Sequence, residues 1–268
     1  MGISLNHSIN LNNDTINGND AVMNWLEVTI LGLLSGVVGT GAGGLLSIFV
    51  KKPTLRFTGT ILAFAAGVML SIIFIELIDE SMFYSGHWAT IVGLALGMII
   101  FYLLDHYLPH HHTITAEETP FSSYLKKGTL LALGIGLHNF PEGLAIGTGF
   151  VGSQELGLSL AILIGLHNIP EGMAVAAPLK QGGFSYLKVL SITALSGAPM
   201  GLGALIGALI GSISVYVLGL SLGFAAGAML YIVCDELIPD AYESAGAHLS
   251  IFGIFSGTIL GILFTAWF

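Results

Sequence analysis

Residues 136–175 read GLHNFPEGLAIGTGFVGSQELGLSLAILIGLHNIPEGMAV. The stretch opens and closes on one motif. GLHNFPEGLAI (136–146) and GLHNIPEGMAV (165–175) agree at 8 of 11 positions without a gap. In each copy a histidine precedes a glutamate by four residues, His138 with Glu142 and His167 with Glu171. That spacing puts each pair on one helix face. Pro141 and Pro170 lack an N–H, so the carbonyls of Leu137 and Leu166 one turn earlier lose their helical bonds and the helix kinks. Asn139 and Asn168 can donate to a carboxylate or offer a further oxygen, and Gly143 and Gly172 leave room for a facing helix.

The surrounding chain sets the solvent for these polar groups. Of 268 residues, 54% are hydrophobic and only 9% charged, and the mean hydropathy is +0.88. Eight stretches of roughly 20 residues, nearly free of Lys and Arg, match the ~30 Å hydrocarbon core of a bilayer. They fall at about 27–50, 58–78, 89–108, 128–150, 156–178, 189–210, 215–238 and 249–267. The expectation is an all-α integral membrane protein with a polar tail (1–24) and one transmembrane domain (25–268). The tail lacks the basic and apolar regions of a signal peptide. No remaining segment is long enough to bury a separate core.

The seven bases fall on alternate loops: Lys51, Lys52 and Arg56, then Lys126 and Lys127, then Lys180 and Lys188. This positive-inside pattern makes those loops cytosolic and puts both termini outside the cytosol. A second repeat pairs LAFAAGVMLSIIFIELIDES (62–81) with LGFAAGAMLYIVCDELIPDA (222–241), which agree at 11 of 20 positions. Both repeats couple an even span to an odd one, so the partners cross the membrane in opposite directions, an inverted-repeat transporter pattern. Glycine, with 37 residues, recurs at four-residue spacing, as in Gly143/Gly147 and Gly253/Gly257/Gly261. Such faces serve close helix packing, with a sliding surface or a homodimer contact as alternatives.

Both His/Glu pairs fall near mid-span, where a charged side chain costs about 2.5–3.5 kcal/mol on insertion scales and needs a partner. Two imidazoles and two carboxylates complete a tetrahedral zinc set, and the two negative charges cancel those of the ion. The alternative is that these groups only bond one another. Cys234 is the sole thiol, which excludes a thiolate cluster and an intrachain disulfide. A net charge of −9 without a basic stripe argues against nucleic acid as a partner.

With its paired HNFPEG (138–143) and HNIPEG (167–172), its paired AAGxML segments, eight spans and a His-containing loop after span 3, the sequence resembles the ZIP (Zrt/Irt-like) metal transporter family over about residues 25–268. The resemblance implies a 3+2+3 arrangement of the eight helices and divalent metal uptake into the cytosol, most often of zinc. It also implies metal ligation by His138, Asn139 and Glu142 of span 4 and His167, Asn168 and Glu171 of span 5, and an approach to the metal by Met69. Many relatives carry an acid on span 6 that completes a second metal position. Here that segment reads Ser196-Gly197-Ala198-Pro199-Met200, which puts the thioether of Met200 there and leaves one metal position expected.

The second repeat puts carboxylates at opposite ends of spans 2 and 7: Glu76, with Asp79 and Glu80, at the outer mouth, and Asp235 and Glu236, with Asp240, at the cytosolic mouth. Such groups concentrate cations and pass them to and from the centre. The cytosolic loop (about 109–127) carries His110, His111 and His112, a transient zinc site or a plain linker. The expected activity is transport in the cell membrane, with zinc, and with it Fe²⁺, Mn²⁺ or Cd²⁺, as substrate rather than cofactor. An intramembrane zinc enzyme is the alternative from another class, but no HExxH is present. A channel-like metal pore is the alternative within transport.

Overall fold

A computed structural model describes residues 24–49, 54–107 and 120–267. Its helices are α1 (Trp25–Phe49), α2 (Leu55–Ser71), α3 (Ile78–Tyr107), α4 (Pro120–Gly152), α5 (Gln154–Gln181), α6 (Tyr186–Ser196), α7 (Pro199–Gly211), α8 (Val215–Ile232), α9 (Ile238–Ala245) and α10 (Ala247–Thr265). No strand occurs among the described residues. Residues 1–23 of the polar tail, Lys51 and Lys52, and the loop histidines His110, His111 and His112 lie outside the described residues.

Local chemistry sets the helix starts. The side chains of Thr54, Ser153 and Ser214 accept from the backbone N–H groups of Phe57, Leu156 and Val217 at 3.2, 3.0 and 3.2 Å, closing the starts of α2, α5 and α8. α4 begins at Pro120, earlier than the expected 128, so the end of the expected loop is helical. Proline suits a first helical position, where its missing N–H has no partner to lose. The sixth expected span is two helices, because Pro199 cannot donate to the Leu195 carbonyl, which instead accepts from the Ala198 N–H at 3.0 Å.

Six helical stretches among the described residues are long and apolar enough to cross a bilayer: Trp25–Phe49, Leu55–Leu104, Gln154–Gln181, Tyr186–Gly211, Val215–Ala245 and Ala247–Thr265. Leu55–Leu104 has 50 residues, more than twice the length one crossing needs. It bends at Gly86, whose φ of 76° lies in the region that favours glycine. The outward faces are apolar. On α10, Phe252, Phe255 and Leu263 are exposed while Ser250, Gly253, Gly257 and Gly261 are buried. A water-soluble surface would reverse that order; lipid favours it. The chain is therefore an all-helical, multi-pass membrane protein.

The 160-residue repeat extends well beyond the segments quoted above. Gly86 and Gly246 both have left-handed φ, 76° and 78°. π-helical turns interrupt both copies, at Ile72–Leu77 and Val233–Leu237, and carry Glu76 and Glu236. A Cβ on Gly67 of α2 would strike the Ile254 carbonyl oxygen of α10, and one on Gly227 of α8 would strike that of Leu94 in α3. All four positions correspond under the same offset, so equivalent glycines make equivalent close approaches.

The most extensive contacts outline three groups of helices. α1, α4, α5, α6 and α7 pack on one another, and on either side of them α3 packs on α8 and α2 packs on α9 and α10, joined to the first set mainly where α4 lies on α8 and α2 lies on α5. The two motifs belong to the first group.

Candidate metal centre

Only Ser153 separates α4 from α5, so the two motif helices run side by side. The motif glycines fix how closely each meets its other neighbour. A Cβ on Gly143 would collide with the Met200 carbonyl oxygen of α7, and one on Gly172 with the Thr40 carbonyl oxygen of α1. Gly143 and Gly172 correspond within the short repeat, and Thr40 and Met200 are 160 residues apart, so the two interfaces are equivalent.

This packing closes the polar residues in. Glu142, Glu171, Asn139 and Asn168 are 0% exposed, and His138 and His167 are also buried. His167 Nε2 lies 3.0 Å from Glu142 Oε1 and 3.8 Å from Glu171 Oε1. Glu142, His167 and Glu171 each offer a ligand atom within 4.8 Å of the others. His138 turns elsewhere: its Nε2 is 3.0 Å from Oε2 of Glu236, a carboxylate whose side chain is 38% exposed. The four-residue spacing thus puts His and Glu on common faces, yet each imidazole makes its shortest carboxylate contact on a different helix.

The asparagines form a separate chain of hydrogen bonds. Asn168 Nδ2 donates to Asn139 Oδ1 at 3.0 Å, and Asn139 Nδ2 donates to the carbonyls of Ile135 at 2.8 Å and Ser196 at 3.1 Å. The Ser196 carbonyl is available because the α6–α7 break diverts the Met200 N–H to Gly197, at 3.2 Å. Neither the missing acid nor the Met200 thioether read from the SGAPM segment pointed to this carbonyl. The proline in it was the available signal.

Charge and hydrogen bonding leave the centre incomplete. Two carboxylates face one imidazole, so with both ionised the cluster is net negative even beside a protonated His167. Among the described residues, Glu142 Oε2, both carboxylate oxygens of Glu171, Asn168 Oδ1 and the Nδ1 atoms of both histidines are buried without a hydrogen-bond partner. Orphaned buried acceptors are rare in native proteins, and each calls for an explanation. A cation among them satisfies several acceptors and the charge together.

The other sequence candidates lie around this core. Met69 is fully buried in the main apolar cluster. Met200 is fully buried on α7, where α1 and α4 converge. Glu76 is half-buried and faces Ser159 of α5, with Glu80, Asp79 and Glu155 nearby. Asp235 is exposed beside Glu236. Ser159, absent from the sequence reading, is 3% exposed; nothing local in the sequence marks it.

A family model described as ZIP zinc transporter matches residues 109–265. Relatives span nearly the whole chain. The zinc transporter ZupT of Chlorobium luteolum is 36% identical over 253 residues, covering 87% of this chain and 95% of the relative. That of Streptococcus mutans is 34% identical over 247 residues, covering 86% and 93%. That of Corynebacterium glutamicum is 36% identical over 246 residues, covering 85% and 93%.

Proposed function

This chain belongs to the ZIP zinc transporter family, and we propose that it carries zinc across the cell membrane into the cytosol through the buried α4–α5 centre. It is a transporter rather than an enzyme. The observation that carries the reading is the enclosed cluster of Glu142, His167 and Glu171, whose ligand atoms lie within 4.8 Å of one another. Nitrogen and carboxylate oxygen suit Zn²⁺, and two carboxylates cancel its charge, so the loaded centre is formally neutral in a low-dielectric layer. The same donors accept Fe²⁺, Mn²⁺ and Cd²⁺, whose selection rests on geometry and supply.

In this reading residues 25–268 form one domain of eight spans in a 3+2+3 order, with spans 1–3 and 6–8 as inverted copies around spans 4 and 5. The equivalent glycine contacts support that order. The bases on alternate loops support cytosolic loops 1–2, 3–4 and 5–6 and external termini. The glycine faces pack helix on helix within the chain. Met69 and Met200 supply soft donors at the edge of the centre.

The route then has three stations. Glu76, opposite Ser159, collects the cation at the outer mouth. Glu142, His167 and Glu171, with the neighbouring Asn139 and Asn168, hold it at mid-membrane. His138 then passes it to Glu236, 3.0 Å away and half-exposed, with Asp235 beyond, and His110, His111 and His112 receive it in the cytosol. The group holding α4 and α5 shifts against the helices on either side, exposing the centre to each side in turn. The membrane potential is worth about 2.3 kcal/mol per charge per 100 mV, hence roughly 4.6 kcal/mol for a divalent ion moved inward.

Zinc influx into proteoliposomes tests the proposal. Parent protein should load vesicles with zinc down its gradient, and His167→Ala should not. Equal influx through both would refute the assigned centre.

A further inference from the structure

One seam between the helix groups is open. α10 packs closely on α2, where a Cβ on Gly253 would lie 2.8 Å from the Thr60 carbonyl oxygen, and α5 packs closely on α1, where a Cβ on Gly43 would strike the Ile169 carbonyl oxygen. Between these two tight joints runs a groove of about 320 Å³, walled by Ile61 and Phe64 of α2, Ile169, Pro170 and Met173 of α5, and Phe252 of α10. Ile169 and Met173 lie two residues either side of Glu171, hence on the opposite face of the helix from that carboxylate. Phe252 is exposed, so the groove opens on the surrounding lipid. Its two hydroxyls are already satisfied: Thr60 Oγ1 donates to the Arg56 carbonyl at 2.8 Å, and Ser256 Oγ to the Gly253 carbonyl at 2.9 Å. Such walls suit hydrocarbon rather than a cation or a file of water.

Bases stand at one end of this groove. Arg56 precedes Thr60 by four residues and His248 precedes Phe252 by four, so each shares a helix face with a groove residue, one turn nearer the helix start. Both are exposed, and neither has an ion-pair partner among the described residues. In the orientation proposed above, those ends face the cytosolic leaflet, whose anionic lipids attract nearby bases. We propose that the groove holds one acyl chain of an anionic phospholipid from that leaflet, with the phosphate on Arg56 and His248. The inference rests on the proposed orientation and alternating shift, to which it adds a lipid partner. A fluid chain fills the joint in either arrangement of α5 against α2 and α10, whereas close-packed side chains would interlock in one. Bound lipid therefore speeds transport and leaves zinc affinity unchanged.

Lipid retention tests the site. Full-length protein in detergent is given phosphatidylglycerol and phosphatidylcholine of matched chains in equal amounts, and the lipid retained is read by native mass spectrometry without zinc. One phosphatidylglycerol should be held, and Arg56→Gln should reduce the preference roughly fivefold, the worth of one arginine beside an anionic surface. Ser256→Phe, which fills the groove from an exposed position on α10, should lose the lipid. In proteoliposomes, zinc influx through the parent should rise severalfold when phosphatidylglycerol replaces part of the phosphatidylcholine, and neither variant should show that rise. Equal retention of the two lipids, unchanged retention by Ser256→Phe, a second copy of the chain in place of lipid, or equal influx in both vesicles would overturn the proposal. Should Ser256→Phe not fold, crystals grown with brominated-chain phosphatidylglycerol decide: bromine density between α2, α5 and α10 is expected, and bromine only elsewhere would overturn the proposal too. Retention is read without zinc, so zinc binding unaffected by Glu142→Gln would refute the α4–α5 centre and not the lipid site.

Discussion

Replacing Glu142 by glutamine removes one negative charge from the centre with almost no change in shape. The carboxylate is 0% exposed and its Oε1 lies 3.0 Å from His167 Nε2. At an effective dielectric near 20, one unit charge about 4 Å from a divalent ion interacts by roughly 8 kcal/mol. Glutamine keeps the oxygen and its dipole, so the net loss is closer to the ~3–5 kcal/mol typical of breaking a buried pair. At about 1.4 kcal/mol per decade, that weakens zinc roughly 100- to 4,000-fold. The metal-free protein should respond with the opposite sign. Glu142→Gln relieves repulsion with Glu171, whose oxygens lack hydrogen-bond partners among the described residues, and its new N–H group can donate to one of them. The assay is thermal unfolding in detergent with and without zinc, paired with zinc influx in proteoliposomes. The variant should melt at or above the parent without metal, gain little on adding zinc, and transport only at far higher zinc. A variant transporting within threefold of the parent at low zinc would refute the reasoning, and so would one with an undiminished zinc-induced shift.

Three further substitutions probe the frame and the outer mouth. Gly172→Ala puts a methyl into the Thr40 carbonyl oxygen and should cost about 1–3 kcal/mol of packing. It is read as reduced membrane abundance and a lower melting temperature. Glu76→Gln should raise the zinc concentration for half-maximal influx by roughly threefold to fivefold, because a half-exposed charge is worth only about 1 kcal/mol; the maximal rate should hold. Lys180 Nζ donates to the carbonyl of Ser47 at the end of α1, at 3.0 Å. Lys180→Met should therefore lower thermal stability by about 1 kcal/mol while leaving zinc affinity intact, measured by melting and by equilibrium dialysis.

How much of this was legible in the sequence depends on range. The two HNxPEG copies announced helices with buried polar faces, because motif spacing and helical period are local properties. The equivalence of Gly67 and Gly227 was legible in the 160-residue repeat, although the quoted segments stopped short of Gly86 and Gly246, while the helix that each approaches, α10 or α3, was not. The partner of His138 was not legible. Glu236 lies nearly 100 residues away and reaches the imidazole from a π-helical turn that the hydrophobic pattern does not mark. The break at Ala198–Pro199 could have been read from proline alone, but its effect on the Ser196 carbonyl needed the facing helix. The direction of the asparagine chain likewise follows from two backbone carbonyls on different helices, which no spacing in one segment encodes.

The measurement that bears most directly on the central claim is an anomalous difference map at the zinc edge, from crystals of the zinc-saturated protein. The account expects one strong peak enclosed by Glu142, His167 and Glu171, at about 2.0–2.2 Å from the ligand atoms. Zinc bound only elsewhere, with those three side chains still paired to one another, would contradict it.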